Sequence, residues 1–165
     1  MRILHVISTF PPAFAFGGPP KVALDVCREL AKRGHDVEVY TTNAYDQKSN
    51  FKPENRTVVI DGIKVTYFSN MLRLSNLYIA PKMITELRKS LKNFDVIHVH
   101  FGRQPYDVYI GLNANRFKVP YVIQAHGCLP KIGKRRGLKS IFDAFLGKSI
   151  LRRASKVIAP NRMEA

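Results

Sequence analysis

Short apolar segments alternate with amphipathic ones along most of the chain. The apolar segments lie at 2–8, 37–42, 96–100, 121–125 and 156–159. Their nearly continuous apolar character is typical of strands that are buried on both faces of a parallel sheet. The segments between them have helical spacing, which indicates that helices connect the strands. The pattern therefore predicts an α/β fold, with a mostly parallel sheet and helices on both faces.

Four segments have the spacing of amphipathic helices: 20–33, 81–92, 105–117 and 138–153. Pro19 and Pro20 suit the first turn of the first helix, which ends before Gly34, a residue common just after a helix. The fourth carries apolar side chains that we expect to face the core, namely Ile141, Phe142, Phe145 and Leu146.

The region between the second strand and the second helix has a different pattern. Asp61-Gly62 separates two β-type runs at 57–60 and 63–68, which predicts a hairpin. The polar stretch 43–55 is predicted to be a loop. The apolar stretch 71–79 is irregular, and no element is assigned to it.

Two glycines follow the first strand. Gly17 and Gly18 lie after a loop rich in proline and aromatic residues, and directly before the predicted start of the first helix. Unpaired N–H groups and the helix dipole favour an anionic group at such a place, and glycine lets that group approach the backbone. The alternative is that these glycines only shape the loop.

The motifs of two common nucleotide-binding classes are missing. A dinucleotide-binding fingerprint requires G-x-G-x-x-G after the first strand and an acidic residue at the end of the second. Here the glycines stand in Phe-Gly-Gly-Pro-Pro, and the second strand is followed by Asn43. These differences argue against NAD binding, and no Walker A loop is present.

Histidines stand at the ends of two central strands. His126 follows the strand at 121–125, and the adjacent Gly127 leaves space beside its ring, which favours contact with a substrate oxygen or a phosphate. For His100, a functional and a structural role are equally supported. The other histidines are expected to be structural, namely His5, His35 and His98. No spacing of His, Cys, Asp or Glu indicates a metal site.

The charge is strongly basic and uneven. The chain has 27 Lys and Arg residues against 12 Asp and Glu, a net charge of +15. This balance indicates an anionic partner such as phosphate, acidic lipid or nucleic acid. Between 131 and 156 there are nine basic residues and one acid, which makes a loop with Lys134, Arg135 and Arg136 a candidate anion contact. Its alternative is a solvated surface. Nucleic acid is not favoured, because interleaved aromatic residues and known motifs are missing.

The cellular compartment is predicted from the lack of a membrane-spanning run and of a signal peptide in this sequence. No apolar run reaches the roughly 18 residues of a membrane span, and the N-terminal apolar run does not fit a signal peptide. The two cysteines have no partners at metal-ligand spacing. We therefore expect a cytoplasmic protein, which the basic segment would allow to bind the inner face of the membrane peripherally.

Several modest motifs occur together in an order that a known family shares. They lie at 3–12, 17–18, 30–39, 95–100, 119–127 and 154–161. With them the chain resembles the N-terminal domain of a retaining GT-B glycosyltransferase, from the group that includes sucrose and glycogen synthases. The resemblance implies a Rossmann-like sheet that forms one half of a GT-B architecture.

The resemblance also implies roles for particular residues. Enzymes of this group have two Rossmann-like domains that face each other across a cleft, and residues 1–165 would be the acceptor-side domain without the donor-binding one. Gly17, Gly18 and Gly127 would then bind the donor, with the first two near its diphosphate. His126 would be the catalytic residue that contacts the donor sugar. His100 and the basic loop would border the acceptor.

The expected partners follow from the same resemblance. They are a nucleotide-sugar donor and a lipid-linked, sugar or polysaccharide acceptor. Anionic lipid or a phosphorylated acceptor would bind at the basic loop. No cofactor is expected. Since the glutamate pair of the donor domain is missing, the chain alone is expected to be inactive. Two rival functions are a non-enzymatic basic module and a small flavodoxin-like nucleotide-binding protein. Binding that collapses with salt would identify the first rival.

Overall fold

The computed structural model describes residues 1–74, 77–126 and 142–159, and a seven-stranded sheet forms the centre of this part. The sheet has the order β3-β4-β2-β1-β7-β8-β9 and is parallel except for the antiparallel pair β3–β4. Strands β5 and β6 form a separate antiparallel pair. The strands of the described residues are β1 (Arg2–Val6), β2 (Asp36–Thr42), β3 (Thr57–Ile60), β4 (Ile63–Phe68), β5 (Leu72–Leu74), β6 (Leu77–Ile79), β7 (Val96–His100), β8 (Tyr121–Gln124) and β9 (Lys156–Ile158).

Helices cover both faces of this sheet, as predicted. In the described part of the chain they are α1 (Gly18–Lys32), α2 (Pro81–Ser90), α3 (Pro105–Asn113) and α4 (Lys148–Arg153). Short 3₁₀ turns follow α2 at Leu91–Asn93 and α3 at Asn115–Phe117. The predicted extension of the third helix to residue 117 therefore ends in a tighter turn. Helix α1 begins at Gly18, so that Pro19 and Pro20 both lie in its first turn, as predicted.

Two apolar clusters hold the layers together. On one face, Ala23 and Cys27 of α1 pack over Val37 and Val39 of β2 together with neighbouring strand residues. On the other face, helices α2, α3 and α4 pack over β1, β7 and β8. Each fully buried aliphatic side chain contributes roughly 1.5–3 kcal/mol relative to exposure. Since helices pack on both faces of a mostly parallel sheet, the chain has the Rossmann-like arrangement that its alternating pattern predicts.

The order of the strands reverses beside β1. The chain leaves β1 for β2 and β4 on one side, and then crosses to β7 and β8 on the other. Strand β1 pairs in parallel with both β2 and β7. The carboxyl ends of β1 and β7 therefore flank a topological switch point, where open α/β sheets bind their ligands.

Two regions between β2 and α2 differ in how well they were predicted. The hairpin at Asp61-Gly62 is confirmed as β3–β4. The unassigned stretch 71–79 contains the β5–β6 arm. Arg73 binds this arm to the preceding loop, because its guanidinium donates to the carbonyl oxygens of Asp46 and Ser49 and to the side chain of Asn50.

The prediction that Phe145 faces the core was wrong. Residues Asp143–Gly147 form a π-helical turn, and the Phe145 side chain is 80% exposed. A π turn has more residues per turn than an α-helix, so the 3.6-residue spacing no longer identifies the inward face. Phe142 and Leu146 do pack against the core, whereas Ile141 lies outside the described residues.

Among the residues that the structure describes, no helix combines the length and apolar composition that a membrane span requires.

Candidate functional site

Four histidines gather near the switch point. His5 lies on β1, His98 and His100 lie on β7, and His126 is the second residue after β8. Strand pairing places His5 opposite His98, and His100 opposite Gln124. Since side chains two residues apart in a strand share a face, His98 and His100 project from the same side of the sheet. The fold thus brings together residues that lie up to 121 positions apart in the chain (126 − 5).

Three of these rings form a continuous hydrogen-bonded row, which we call the histidine row: His5, His100 and His126. His5 Nδ1 lies 3.1 Å from His100 Nε2. His100 Nδ1 lies 2.7 Å from His126 Nε2. The row begins at a fully buried residue and ends at one that is partly exposed. It therefore links the sheet interior to the carboxyl edge.

His98 lies beside this row and is not one of its hydrogen-bonded members. Its ring stacks on His100 with centroids 4.4 Å apart and an interplanar angle of 12°. It is also tilted against His5 at 4.7 Å. His98 thus packs against the row, and its buried Nε2 atom has no hydrogen-bond partner among the residues that the structure describes.

Burial determines the protonation of these rings. Loss of solvation lowers the pKa of His5 and His100 well below the ordinary histidine value, and the neighbouring histidines lower the pKa of each ring further. For His98, burial lowers the pKa to about 4. These three rings are therefore neutral at neutral pH, and each carries one N–H and one lone pair.

Three of the histidines lie close enough to be tested as a metal site. One ring nitrogen from each of His5, His98 and His100 lies within 4.8 Å of the others. Nitrogens bound to one Zn²⁺ must converge to about 2.0–2.1 Å from the ion. The rings of His98 and His100 are nearly parallel, so their in-plane lone pairs run side by side, and His5 already bonds to His100. The arrangement favours hydrogen bonding over metal coordination.

His126 has an unusual backbone conformation. Its φ is 47°, in the left-handed region that non-glycine residues seldom occupy. Such conformations cost free energy and persist where the surrounding structure imposes them, often at ligand sites. The turn after β8 directs the His126 ring back to the end of β7, where His100 binds it.

The two glycines mark the start of α1. Gly17 precedes the helix with a φ of 81°, and Gly18 is its first residue. Among the residues that the structure describes, no heavy atom would lie within 4 Å of a Cβ atom added at either position. Packing against the described residues therefore does not require glycine at these positions.

The loop after β7 is held by buried polar side chains that the sequence analysis did not identify. Asp107 Oδ2 accepts hydrogen bonds of 2.9 Å from the backbone N–H groups of Gly102 and Gln104. Burial raises the pKa of the Asp107 carboxyl to about 7, against the opposing effect of its backbone donors. The Tyr106 hydroxyl donates to Ser8 Oγ at 2.7 Å and so connects this loop to the end of β1.

The structure brings together only part of the predicted site. His100 and His126 are in contact, and Gly17 and Gly18 follow β1 at the start of α1. The sequence analysis assigned His5 and His98 to the core, and their burial agrees, but it did not foresee their contact with His100. The sequence did carry a signal for this contact, because these histidines can face the same side of two adjacent strands. Gly127, Lys134, Arg135 and Arg136 lie outside the described residues.

Comparison with solved structures shows which fold this is. The chain superimposes on HepE from Anabaena, crystallised with UDP and glucose, with a TM-score of 0.58 and 18% identity over 99% of this chain. It superimposes on sucrose-phosphate synthase from Thermosynechococcus elongatus with a TM-score of 0.63 and 14% identity over 94% of this chain. It spans 39% and 41% of the lengths of those two proteins. The shared fold is one half of the GT-B architecture.

Comparison with protein families is more specific. The search of curated proteins finds no match. The model of the family described as Glycosyltransferase Family 4 matches residues 16–165, which includes every predicted site residue. The chain therefore belongs to glycosyltransferase family 4.

Proposed function

We propose that this chain is the acceptor-side half of a retaining glycosyltransferase that uses a nucleotide-sugar donor. One observation carries the proposal: the family match covers the segments that bring His126 and His100 together at the switch point. The HepE structures contain UDP or UDP-glucose, so a UDP-sugar is the first donor to test. A second domain would supply the remainder of the donor site.

The start of α1 suits the leaving group of such a reaction. In sugar transfer the bond between the anomeric carbon and the diphosphate oxygen breaks, and a new bond to an acceptor oxygen forms. The acceptor hydroxyl gives its proton to the departing phosphate oxygen or to water, and the nucleoside diphosphate leaves with the electron pair of the broken bond. Backbone N–H groups at the segment Gly17–Gly18 would stabilise the negative charge that develops on the diphosphate.

His126 suits the sugar itself. Its ring is partly exposed at the carboxyl edge, and His100 holds its Nε2 atom. A hydrogen bond from a positioned imidazole to a sugar oxygen orients the donor, and it stabilises the transition state where charge builds up near that oxygen. The acceptor is proposed to bind on the side of the basic loop that contains Lys134, Arg135 and Arg136.

The test is sugar transfer from UDP-glucose by the full-length protein and its variants. His126→Ala should lower kcat/KM by about 2–4 kcal/mol in transition-state stabilisation, which is roughly 30- to 1,000-fold, and it should leave folding intact. His35→Ala is the control. His35 directly precedes β2 and so lies at the amino end of the strands, whereas His126 lies at their carboxyl end. Near-normal transfer by the His126 variant would remove this residue from the catalytic site.

A further inference from the structure

The histidine row connects a buried end to a ligand-facing end through two hydrogen bonds. Each bond joins two ring nitrogens, so one nitrogen must donate and the other must accept. A neutral imidazole has a single N–H. A choice of donor at one end therefore determines which nitrogen carries the proton in every ring of the row.

The buried end determines that choice. His5 is fully buried, and its Nε2 atom has no hydrogen-bond partner among the residues that the structure describes. A proton on that nitrogen would leave a buried N–H group unsatisfied, and such groups are rarer in proteins than incompletely used acceptors. The proton of His5 therefore belongs on Nδ1, from which it is donated to Nε2 of His100.

The same logic extends to the next ring. Since His100 accepts at Nε2 and is neutral, its proton lies on Nδ1 and is donated to Nε2 of His126 at 2.7 Å. The Nε2 atom of His126 is then an acceptor. Any hydrogen bond between the His126 ring and a ligand must use Nδ1, which carries the proton in the neutral ring.

We propose that His5 and His100 are positioning residues that select the Nδ1–H tautomer of His126, so that His126 meets an oxygen of the ligand as a hydrogen-bond donor. The part that concerns the ligand rests on the proposed function, and the part that concerns the tautomer does not. A hydroxyl oxygen of the donor sugar or an oxygen of its phosphates would accept this bond. The opposite tautomer would present a lone pair and would repel a phosphate oxygen.

If both hydrogen bonds of the row are reversed, the buried end of the row is left with an unsatisfied N–H group. For Nε2 of His126 to carry a proton, His100 must accept at Nδ1 and donate from Nε2, and His5 must then carry its proton on the unpartnered Nε2. The row therefore disfavours both the other neutral tautomer and the doubly protonated form of His126.

The test measures the tautomers directly. Long-range proton–nitrogen correlation spectra of the full-length protein, labelled with ¹⁵N-histidine, report which ring nitrogen carries the proton. At pH 7.5 we expect the Nδ1–H form of His5, His100 and His126, in excess of about ten to one, the ratio that corresponds to ~1.4 kcal/mol. The Nε2–H form at His100 or His126 would overturn the proposal.

An isosteric pair at position 5 tests whether this residue sets the direction. His5→Asn retains an amide N–H that can donate to His100, so the tautomers of His100 and His126 should not change. His5→Asp offers only an acceptor when ionised, so both rings should change to the Nε2–H form. No difference between the two folded variants would refute the role of His5. If the Asp variant does not fold, the spectra of the native and Asn proteins still decide the tautomer.

Two further measurements separate the possible failures. His98→Leu removes a buried ring that packs on the row without a hydrogen bond to it, and should leave all three tautomers as they are. Adding UDP-glucose to the native protein should shift the Nδ1–H resonance of His126. If the tautomers are as stated and this resonance does not move, the contact with the donor is wrong. If sugar transfer occurs but the tautomers differ, the proposed function stands and the row's role falls.

Discussion

Gly17 and Gly18 are adjacent in the chain but are subject to different physical constraints. Gly17 has a φ of 81° and a ψ of −136°, a combination that side chains disfavour strongly. Gly18 has the conformation of a first helical residue. Neither position is crowded by the described part of the chain, because a Cβ atom would meet nothing there within 4 Å. The backbone therefore explains glycine at position 17, whereas neither the backbone conformation nor a contact with the described residues requires it at position 18.

Alanine substitutions should separate these two constraints. Gly17→Ala is expected to lower the free energy of unfolding by about 1–3 kcal/mol, the cost of a forced backbone conformation. Gly18→Ala should leave stability unchanged or raise it by up to about 1 kcal/mol, because alanine favours helix. Its methyl group should nevertheless weaken UDP binding to the full-length protein. Urea unfolding and calorimetry measure both effects, and unchanged UDP affinity in the Gly18 variant would argue against the phosphate contact.

The buried histidines should make stability depend on pH. Folding lowers the pKa of His5, His98 and His100, so below pH 6.5 the unfolded chain binds more protons than the folded protein. Their contribution to stability is complete above pH 6.5 and is lost as the pH falls toward the folded-state values, about 4 for His98. Asp107 acts oppositely between pH 3.8 and its folded-state pKa of about 7.

Three histidines outweigh one carboxyl group, so acidification should destabilise the protein. Between pH 6.5 and 5, the free energy of unfolding should fall by at most about 3 kcal/mol per pH unit, which is two net protons at about 1.4 kcal/mol each. Urea unfolding at constant ionic strength measures this slope. His98→Leu should reduce it by about 1.4 kcal/mol per pH unit. A flat profile from pH 7.5 to 5 would show that the buried histidines do not titrate as described.

At the scale of elements, α3 and α4 approach each other through a glycine. A Cβ atom at Gly111 would lie 2.7 Å from Cγ1 and 2.8 Å from Cγ2 of Ile150, distances that real Cβ contacts do not reach. Ile150 is itself 1% exposed and cannot move into solvent without uncovering the core. This contact determines how closely α4 packs against α3.

The contact between these helices can be tested with a double-mutant cycle. Gly111→Ala should destabilise the protein by about 1–3 kcal/mol through overpacking, despite the better helix propensity of alanine. Ile150→Ala should cost about 2–5 kcal/mol through a cavity. The double variant should lose less than the sum, because the new methyl group occupies the space that Ile150 vacates. Additive losses, measured by urea unfolding, would contradict the close approach.

At the scale of the whole molecule, the net charge of +15 is the dominant feature. A positive surface near anionic lipid gains about 1 kcal/mol for each engaged cation, and this attraction is screened by salt. We expect the protein to sediment with anionic phosphatidylglycerol vesicles at low salt, and not with neutral phosphatidylcholine vesicles. Changing Lys134, Arg135 and Arg136 together to Ser should abolish this binding.

A charge-matched control distinguishes the basic loop from net charge. Changing Lys148, Arg152 and Arg153 of α4 to Ser also lowers the net charge by three, and these residues are exposed. If the loop is the contact, the control protein should still sediment with anionic vesicles. Equal loss in both proteins would assign the binding to overall charge, and equal sedimentation of all three proteins would remove the loop from the contact.

Local pattern was sufficient for the elements and their class. The apolar runs at 96–100 and 121–125 are strands, Gly34 follows the first helix, and Asp61-Gly62 turns a hairpin, because each depends on neighbours in the chain. The alternation of strands and helices then required a covered parallel sheet. The motifs at the strand ends were also sufficient to indicate the family that the comparison confirmed.

Other features depend on contacts that only the tertiary structure makes. The exposure of Phe145 follows from a π turn that helical spacing cannot reveal. The sequence by itself determined which residues form strands and which strand ends carry histidines. The tertiary structure alone decided that β1 lies beside β7, and thereby that His5, His100 and His126 join in one row. The reason is physical, because strand order is set by burial across the entire sheet, and two residues 95 positions apart meet only when that order is established.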